Sequence, residues 1–117
     1  MFSKKAFDFT LNNLFQEKGN QYVKMGKKHY SDAIDCYTRA IDQKALTDSE
    51  TSILFSNRAH VNLLLGNFRR ALNDANDSIK LSPSNIKVHT LLWPCLDKQL
   101  ICKLAAYMTY FYRKKIK

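Results

Sequence analysis

An all-α fold of paired helices, built by repeating one helix–turn–helix unit, is what this sequence predicts. Two amphipathic runs, a set of helix breaks and an internal repeat carry the prediction. From Ile53 to Leu65 the apolar or small residues Leu54, Phe55, Ala59, Val61, Leu64 and Leu65 recur close to the helical period. Gly66-Asn67 stops that run and turns the chain. A second run places Phe68, Ala71, Leu72, Ala75, Ile79 and Leu81 on one side. Arg69, Arg70, Asp74, Asp77 and Lys80 fall on the other. Ser82-Pro83 closes it, because a residue before proline is pushed out of the helical region. Small residues at 59, 71 and 75 let the two helices approach closely, and neither helix could bury its apolar stripe alone.

The same unit stands upstream. Phe15-x-x-Lys18-Gly19-x-x-Tyr22 followed by Ala33-x-x-x-Tyr37-x-x-Ala40 aligns with Phe55-x-x-Arg58-Ala59-x-x-Asn62 followed by Ala71-x-x-x-Ala75-x-x-Ser78. The repeat from Ala33 to Ala71 is 38 residues, with the extra length in the loops around GKKHYS and QKALTDSET, where insertions cost little.

Taken in order, residues 1–11 form an N-terminal extension, either an amphipathic lead with Phe7 and Leu11 or a frayed end. The first repeat covers 12–45. Its first helix runs to about Met25, with Phe15, Gly19 and Tyr22 inward and the glycine admitting its partner closely. Ser31 is the expected cap of the second helix, which turns Ala33, Ile34, Tyr37, Ala40 and Ile41 inward. The second repeat covers 52–85, with Thr47, Asp48 or Ser49 capping its first helix and Asn67 its second. Residues 86–117 are a partial third repeat and a divergent basic tail. A helix starts at Ser84 or Asn85, breaks near Trp93 because Pro94 costs about 3 kcal/mol in a helix interior, and is followed by another from about Asp97 to Tyr112. That last helix is expected to cap the open end of the stack.

Composition narrows the function. A chain of 117 residues has room for one domain and a modest core, not for a core plus a catalytic cleft. Three cysteines without CxxC spacing, Cys36, Cys95 and Cys102, suit a reducing compartment, and Met1-Phe2-Ser3-Lys4-Lys5 does not open a signal peptide. The net charge of +9 is uneven: residues 1–85 hold 12 basic and 9 acidic side chains, residues 86–117 hold 7 and 1. A mildly basic body is a poor nucleic-acid surface, so none is expected as partner. The apolar run ending in RKKIK is shorter than the roughly 20 residues a membrane span needs and contains Lys103, so a membrane partner is not expected either. His29, His60 and His89 are too scattered for a metal, no nucleophile has a recognisable setting, and Asp32 and Asp35 fit the first turn of a helix. No enzyme, cofactor or metal is expected.

One polar constellation stands out. Gln16, Asn20 and Lys24 advance four residues at a time and share a helix face. Ile53, Asn57 and His60 face the same way on the corresponding helix of the second unit, and Lys87 on that of the third. Amide and ammonium donors without a built-in counter-charge suit an acidic peptide with a free carboxylate. From spacing alone, a merely solvated face is the competing reading.

The repeat pattern resembles the tetratricopeptide repeat, with two repeats and a partial third. KGNQYVKMGKKHYSDAIDCYTRAI and LFSNRAHVNLLLGNFRRALNDA are similar to the co-chaperones of the heat-shock protein 90 and 70 systems, most of all the tetratricopeptide repeat protein 4 group, over residues 12–88. The resemblance implies an adaptor whose carboxylate clamp grips the acidic Glu-Glu-Val-Asp terminus of heat-shock protein 90 or 70. It assigns clamp roles to Asn20, Asn57 and Lys87, with Gln16, Lys24 and His60 as further groove contacts. Two basic members of the family clamp are replaced, by Gln16 and Leu91. At about 1.5–3 kcal/mol per charge-assisted bond, their loss weakens binding by a factor of about ten to a thousand or more. Cytoplasmic, and also nuclear, residence is expected. After Lys87-Val88 the match stops, as for an array truncated in its third repeat by an alternative end. The competing readings are a scaffold without clamp activity, and a membrane or RNA contact through Arg113, Lys114, Lys115 and Lys117.

Overall fold

Glycine at position 19 decides how the first two helices meet. The structure, a computed structural model, describes residues 4–44, 46–85, 87–89, 104, 106–110 and 113–115. Helix α1 spans Lys4–Met25 and α2 spans Tyr30–Asp42, joined by a 3-10 turn at Lys27–His29. Where they cross, a Cβ on Gly19 would lie 2.6 Å from Cε1 and 2.9 Å from Cδ1 of Tyr37. The Tyr37 ring occupies that space and is 2% exposed. Around it Ala33, Ala40, Leu54 and Val61 are fully buried, with Phe15, Tyr22, Val23, Ile34 and Ile41 packed against them. The inward face expected for α2 is the face found.

Helix α3 (Asp48–Leu64) and helix α4 (Phe68–Leu81) form the second hairpin, and α2 packs on α3 to stack the two. Thr47 caps α3: its hydroxyl accepts from the Glu50 N–H while the Glu50 carboxylate accepts from the Thr47 N–H. At the other end Gly66 adopts φ +85°, its N–H donates to the Leu63 carbonyl, and the Asn67 N–H donates to that of Asn62. That pair of bonds is the Schellman stop, and it is why Gly66-Asn67 punctuates the sequence. Ala59, Ala71 and Ala75 are buried between the helices, and Val88, within the described helical residues 87–89, closes onto Ala59 and Ala75.

Several local expectations are corrected. Residues 4–11 are the opening turns of α1, as the amphipathic-lead alternative expects. Helix α2 begins at Tyr30 after His29, so Ser31 lies inside it; the 3-10 turn feeds directly into the helix and no side-chain cap is made. Asn67 precedes α4 without a side-chain capping bond. Leu64 is 46% exposed, while Ser52, Ser56 and Asn62 are buried on α3. The breaks near Trp93 and Pro94, and Leu91, Cys95 and Cys102, lie outside the described residues. Residues 104, 106–110 and 113–115 are helical and exposed, so this part of the tail does not cover the stack.

Asp74 is the largest correction. Placed on the polar side of α4 by periodicity, it is 6% exposed. Arg58 of α3 reaches it through Nε at 2.9 Å and a terminal nitrogen at 2.7 Å, and gives its other terminal nitrogen to Thr38 Oγ1 at 3.0 Å. Asn62 Nδ2 donates to the same carboxylate at 3.2 Å. One guanidinium thus ties α4 to α3 and α3 to α2. A second polar seam lies nearby: Ser52 Oγ donates to the Ser78 carbonyl at 2.9 Å and Ser78 Oγ to the Ser52 carbonyl at 2.7 Å. Asn85 Nδ2 donates to Ser52 Oγ.

Two substitutions measure these contacts by urea denaturation. In Gly19→Ala the added methyl displaces a locked ring, costing about 1–3 kcal/mol, against a helix-propensity gain of about 1 kcal/mol. A net loss of stability is expected; an unchanged or raised midpoint would show that the helices have room to spare. Asp74→Ala strands a largely buried guanidinium and should cost about 3 kcal/mol, the lower end of the range for breaking a buried pair, because Arg58 keeps some exposure. Replacing both partners, as Arg58→Met with Asp74→Leu, should recover most of that loss.

Candidate functional site

The first helix of each unit turns one face toward a shared groove of about 300 Å³. Helix α1 contributes Asn20, Val23 and Lys24, and α3 contributes Asn57, His60 and Val61. Tyr37 of α2 reaches between them, and Lys87 enters from the segment after α4. The four-residue stripe of α1 and the 57/60 pair of α3 therefore do converge, with Lys87 from the third unit. Gln16, on the same α1 stripe, is half-buried and does not line the groove. Leu91 is outside the described residues.

Hydrogen bonds fix the direction of both amides. The Tyr37 hydroxyl donates to Asn20 Oδ1 at 2.6 Å. Burial pushes the Tyr37 pKa up to about 12, so this donor keeps its proton throughout the neutral range. Lys87 Nζ donates to Asn57 Oδ1 at 2.9 Å. With both oxygens engaged, each carboxamide has its NH2 donors left for a ligand. Lys24 and Lys87 bring positive charge, and among the described residues no aspartate or glutamate lines the groove. Val23 and Val61 supply apolar wall. Such a surface accepts an anion with two or more acceptor oxygens and binds a cation poorly.

His60 belongs to the same surface. Burial, and secondly the Lys87 ammonium, hold its pKa below the ordinary histidine value. At neutral pH it is therefore an uncharged imidazole, with one donor and one acceptor. The buried Cys36 thiol is pushed up, chiefly by burial, and stays protonated, which leaves no activated nucleophile there. Among the described residues no group of three histidine, cysteine or acidic side chains could hold a metal ion. A second depression between α2, α3 and α4 contains the Arg58–Asp74 pair, whose charges are already spent on each other.

Sequence reasoning missed the part played by Tyr37, which reads as a core aromatic and also orients Asn20. The signal was present in the adjacency of Gly19 and Asn20: the glycine that admits the ring puts the next side chain within reach of its hydroxyl.

No family model matches the chain. The chain is 34% identical over 76 residues to the tetratricopeptide repeat protein 4 homolog of Dictyostelium discoideum, a match covering 65% of this chain and 19% of the relative. It is 37% identical over 73 residues to human tetratricopeptide repeat protein 4, covering 62% of this chain and 18% of the relative. The chain thus spans less than a fifth of either. Among solved structures, the first tetratricopeptide-repeat domain of Spaghetti (RPAP3), bound to the HSP90 peptide SRMEEVD, superposes with a TM-score of 0.69 at 28% identity. That match covers 82% of this chain and 73% of the neighbour. The two hairpins have the tetratricopeptide-repeat fold. Within that fold, α1 and α3 are the groove-lining helices, and the repeats are similar to those of the tetratricopeptide repeat protein 4 group.

The electrostatics of the groove can be read directly by NMR titration of the histidines. His60 should titrate below the unperturbed value of about 6.5. Lys87→Ala should move it upward without restoring it fully, since burial is the larger cause. A His60 that titrates normally, or one indifferent to Lys87, would contradict the geometry.

Proposed function

We propose that this tetratricopeptide-repeat domain is a peptide-binding adaptor of the co-chaperone type that recognises an acidic, carboxylate-ending peptide through a partial clamp. The observation that carries the reading is the groove itself: two amides with their oxygens occupied and their NH2 groups available, beside Lys24 and Lys87, in a lining that holds no acid among the described residues. In the clamp, the Asn20 and Asn57 amides donate to the carboxylate oxygens and Lys87 supplies charge, while Lys24 and His60 stand close enough to meet the acidic residues before it. The likeness to a domain bound to the HSP90 peptide SRMEEVD supports the C-terminus of heat-shock protein 90 as partner. Heat-shock protein 70 offers the same terminal chemistry and is the second candidate. The chain is read as non-catalytic, and as cytoplasmic and nuclear.

Gln16 standing outside the groove favours a second reading, a protein-interaction scaffold whose clamp is too weak to matter. Calorimetric titration separates the two. A heptapeptide ending in Glu-Glu-Val-Asp should bind with a free C-terminus and lose at least about tenfold in affinity when amidated. Asn57→Ala and Lys87→Ala should each lose about tenfold or more. Affinity should also rise as the pH falls from neutrality toward 6. A bound carboxylate favours the imidazolium form of His60, whose pKa in the free groove is depressed, so binding takes up a proton. No binding by a folded domain would sink the clamp and leave the scaffold.

A further inference from the structure

The two groove amides are held by different means, and the difference comes from the internal repeat. Tyr37 stands in α2 where, 38 residues on, α4 has Ala75. Both positions are buried, but only the tyrosine has a group that reaches between the helices to the groove. Its way is open because Gly19 has no side chain: a Cβ there would stand 2.6 Å from Cε1 and 3.0 Å from Cζ of the ring. The hydroxyl donates to Oδ1 of the exposed Asn20 at 2.6 Å. Asn57 has no such anchor rising from the core and is held by the exposed Lys87 ammonium.

We propose that Tyr37 is a positioning residue of the groove: it holds Asn20 by the oxygen, turns the NH2 group to the ligand, and so gives the groove a preference for a free carboxylate over a blocked one. This rests on the clamp reading. A phenol and a carboxamide can pair in two ways. With the amide reversed, Nδ2 would donate to the Tyr37 oxygen and Oδ1 would face the groove and repel a carboxylate. The hydroxyl would then lose the one acceptor it has among the described residues, and leaving a buried donor without a partner is the costlier arrangement. Without the hydroxyl, the exposed Asn20 side chain turns freely and presents its oxygen as readily as its nitrogen. Phenylalanine at position 37 would fill the same space against Gly19 and free the amide without emptying the core.

Calorimetric titration of the full chain with the heptapeptide ending in Glu-Glu-Val-Asp, free and amidated, tests this. Tyr37→Phe should weaken binding of the free acid about threefold to tenfold, the contribution of one hydrogen bond, and leave the amidated peptide unchanged. In an Asn20→Ala background the same substitution should have no further effect, a coupling that a merely structural role would not produce. Asn20→Asp leaves the core untouched, keeps the Tyr37 bond and turns an oxygen to the groove, so it should lose the preference for the free acid. In the free protein, NMR relaxation of the Asn20 side-chain NH2 should report an ordered group that Tyr37→Phe sets moving. A free-acid preference unchanged in Tyr37→Phe or in Asn20→Asp, or an equal loss with and without Asn20, would overturn the proposal while the clamp stands. A wild-type chain that binds neither peptide, or both alike, would overturn the clamp reading and the proposal with it.

Discussion

The contact of the Tyr37 ring with the bare backbone of Gly19 is the constraint on which both halves of this molecule depend. It sets the distance between α1 and α2, and so the depth of the core in which Ala33, Ala40, Leu54 and Val61 are buried. The same ring carries its hydroxyl out of that core to the neighbouring Asn20. Burial of the ring and orientation of a groove donor are therefore one event. A larger residue at 19 would push the ring away and take the Asn20 partner with it, so a packing change would read out as a change in binding.

The second unit is held in register differently. Ala59, Ala71 and Ala75 allow close approach, but small apolar contacts alone do not define which turn of α3 meets which turn of α4. The reciprocal Ser52–Ser78 bonds and the forked Arg58–Asp74 pair do, since each has one geometry that satisfies its donors. A buried ion pair contributes little net stability once desolvation is counted. Its consequence here is positional: by also reaching Thr38, Arg58 fixes α3 against α2, and with it Asn57 and His60 opposite Asn20 and Lys24.

Which parts of this were legible in the sequence follows from the physics. The helix stop at Gly66 was readable, because a positive φ there depends on local chemistry, whereas the sequence left Thr47, Asp48 and Ser49 as equal candidates for the α3 cap until the Thr47/Glu50 box decided between them. The inward face of α2 was readable because its buried residues are apolar and periodic. Asp74, Ser52 and Ser78 were not, because periodicity assigns polar residues to solvent and cannot see a partner on another helix. Ser31 failed as a cap because the preceding 3-10 turn, a feature of three residues with no pattern of its own, starts the helix early. In the groove, Asn20, Asn57 and Lys87 could be placed on common faces from spacing, with Lys24 and His60 beside them. That Gln16 falls short of the groove depends on the path of α1 against its neighbours, which spacing does not specify.

Counting charges alone understates what the remaining groove can do. On the clamp reading, Gln16 in place of the lysine that the family resemblance implies removes a long-range attraction, yet a flexible ammonium also loses side-chain entropy when it is fixed on a ligand, about 2 kcal/mol for a fully ordered lysine. The Asn20 and Asn57 amides have part of that ordering in place before any peptide arrives, held through their oxygens by Tyr37 and Lys87. The groove is thus poorer in charge but partly preorganised. On the reading proposed above, discrimination would rest on the terminal carboxylate, whose two oxygens can accept from both NH2 groups, more than on the overall acidity of the peptide.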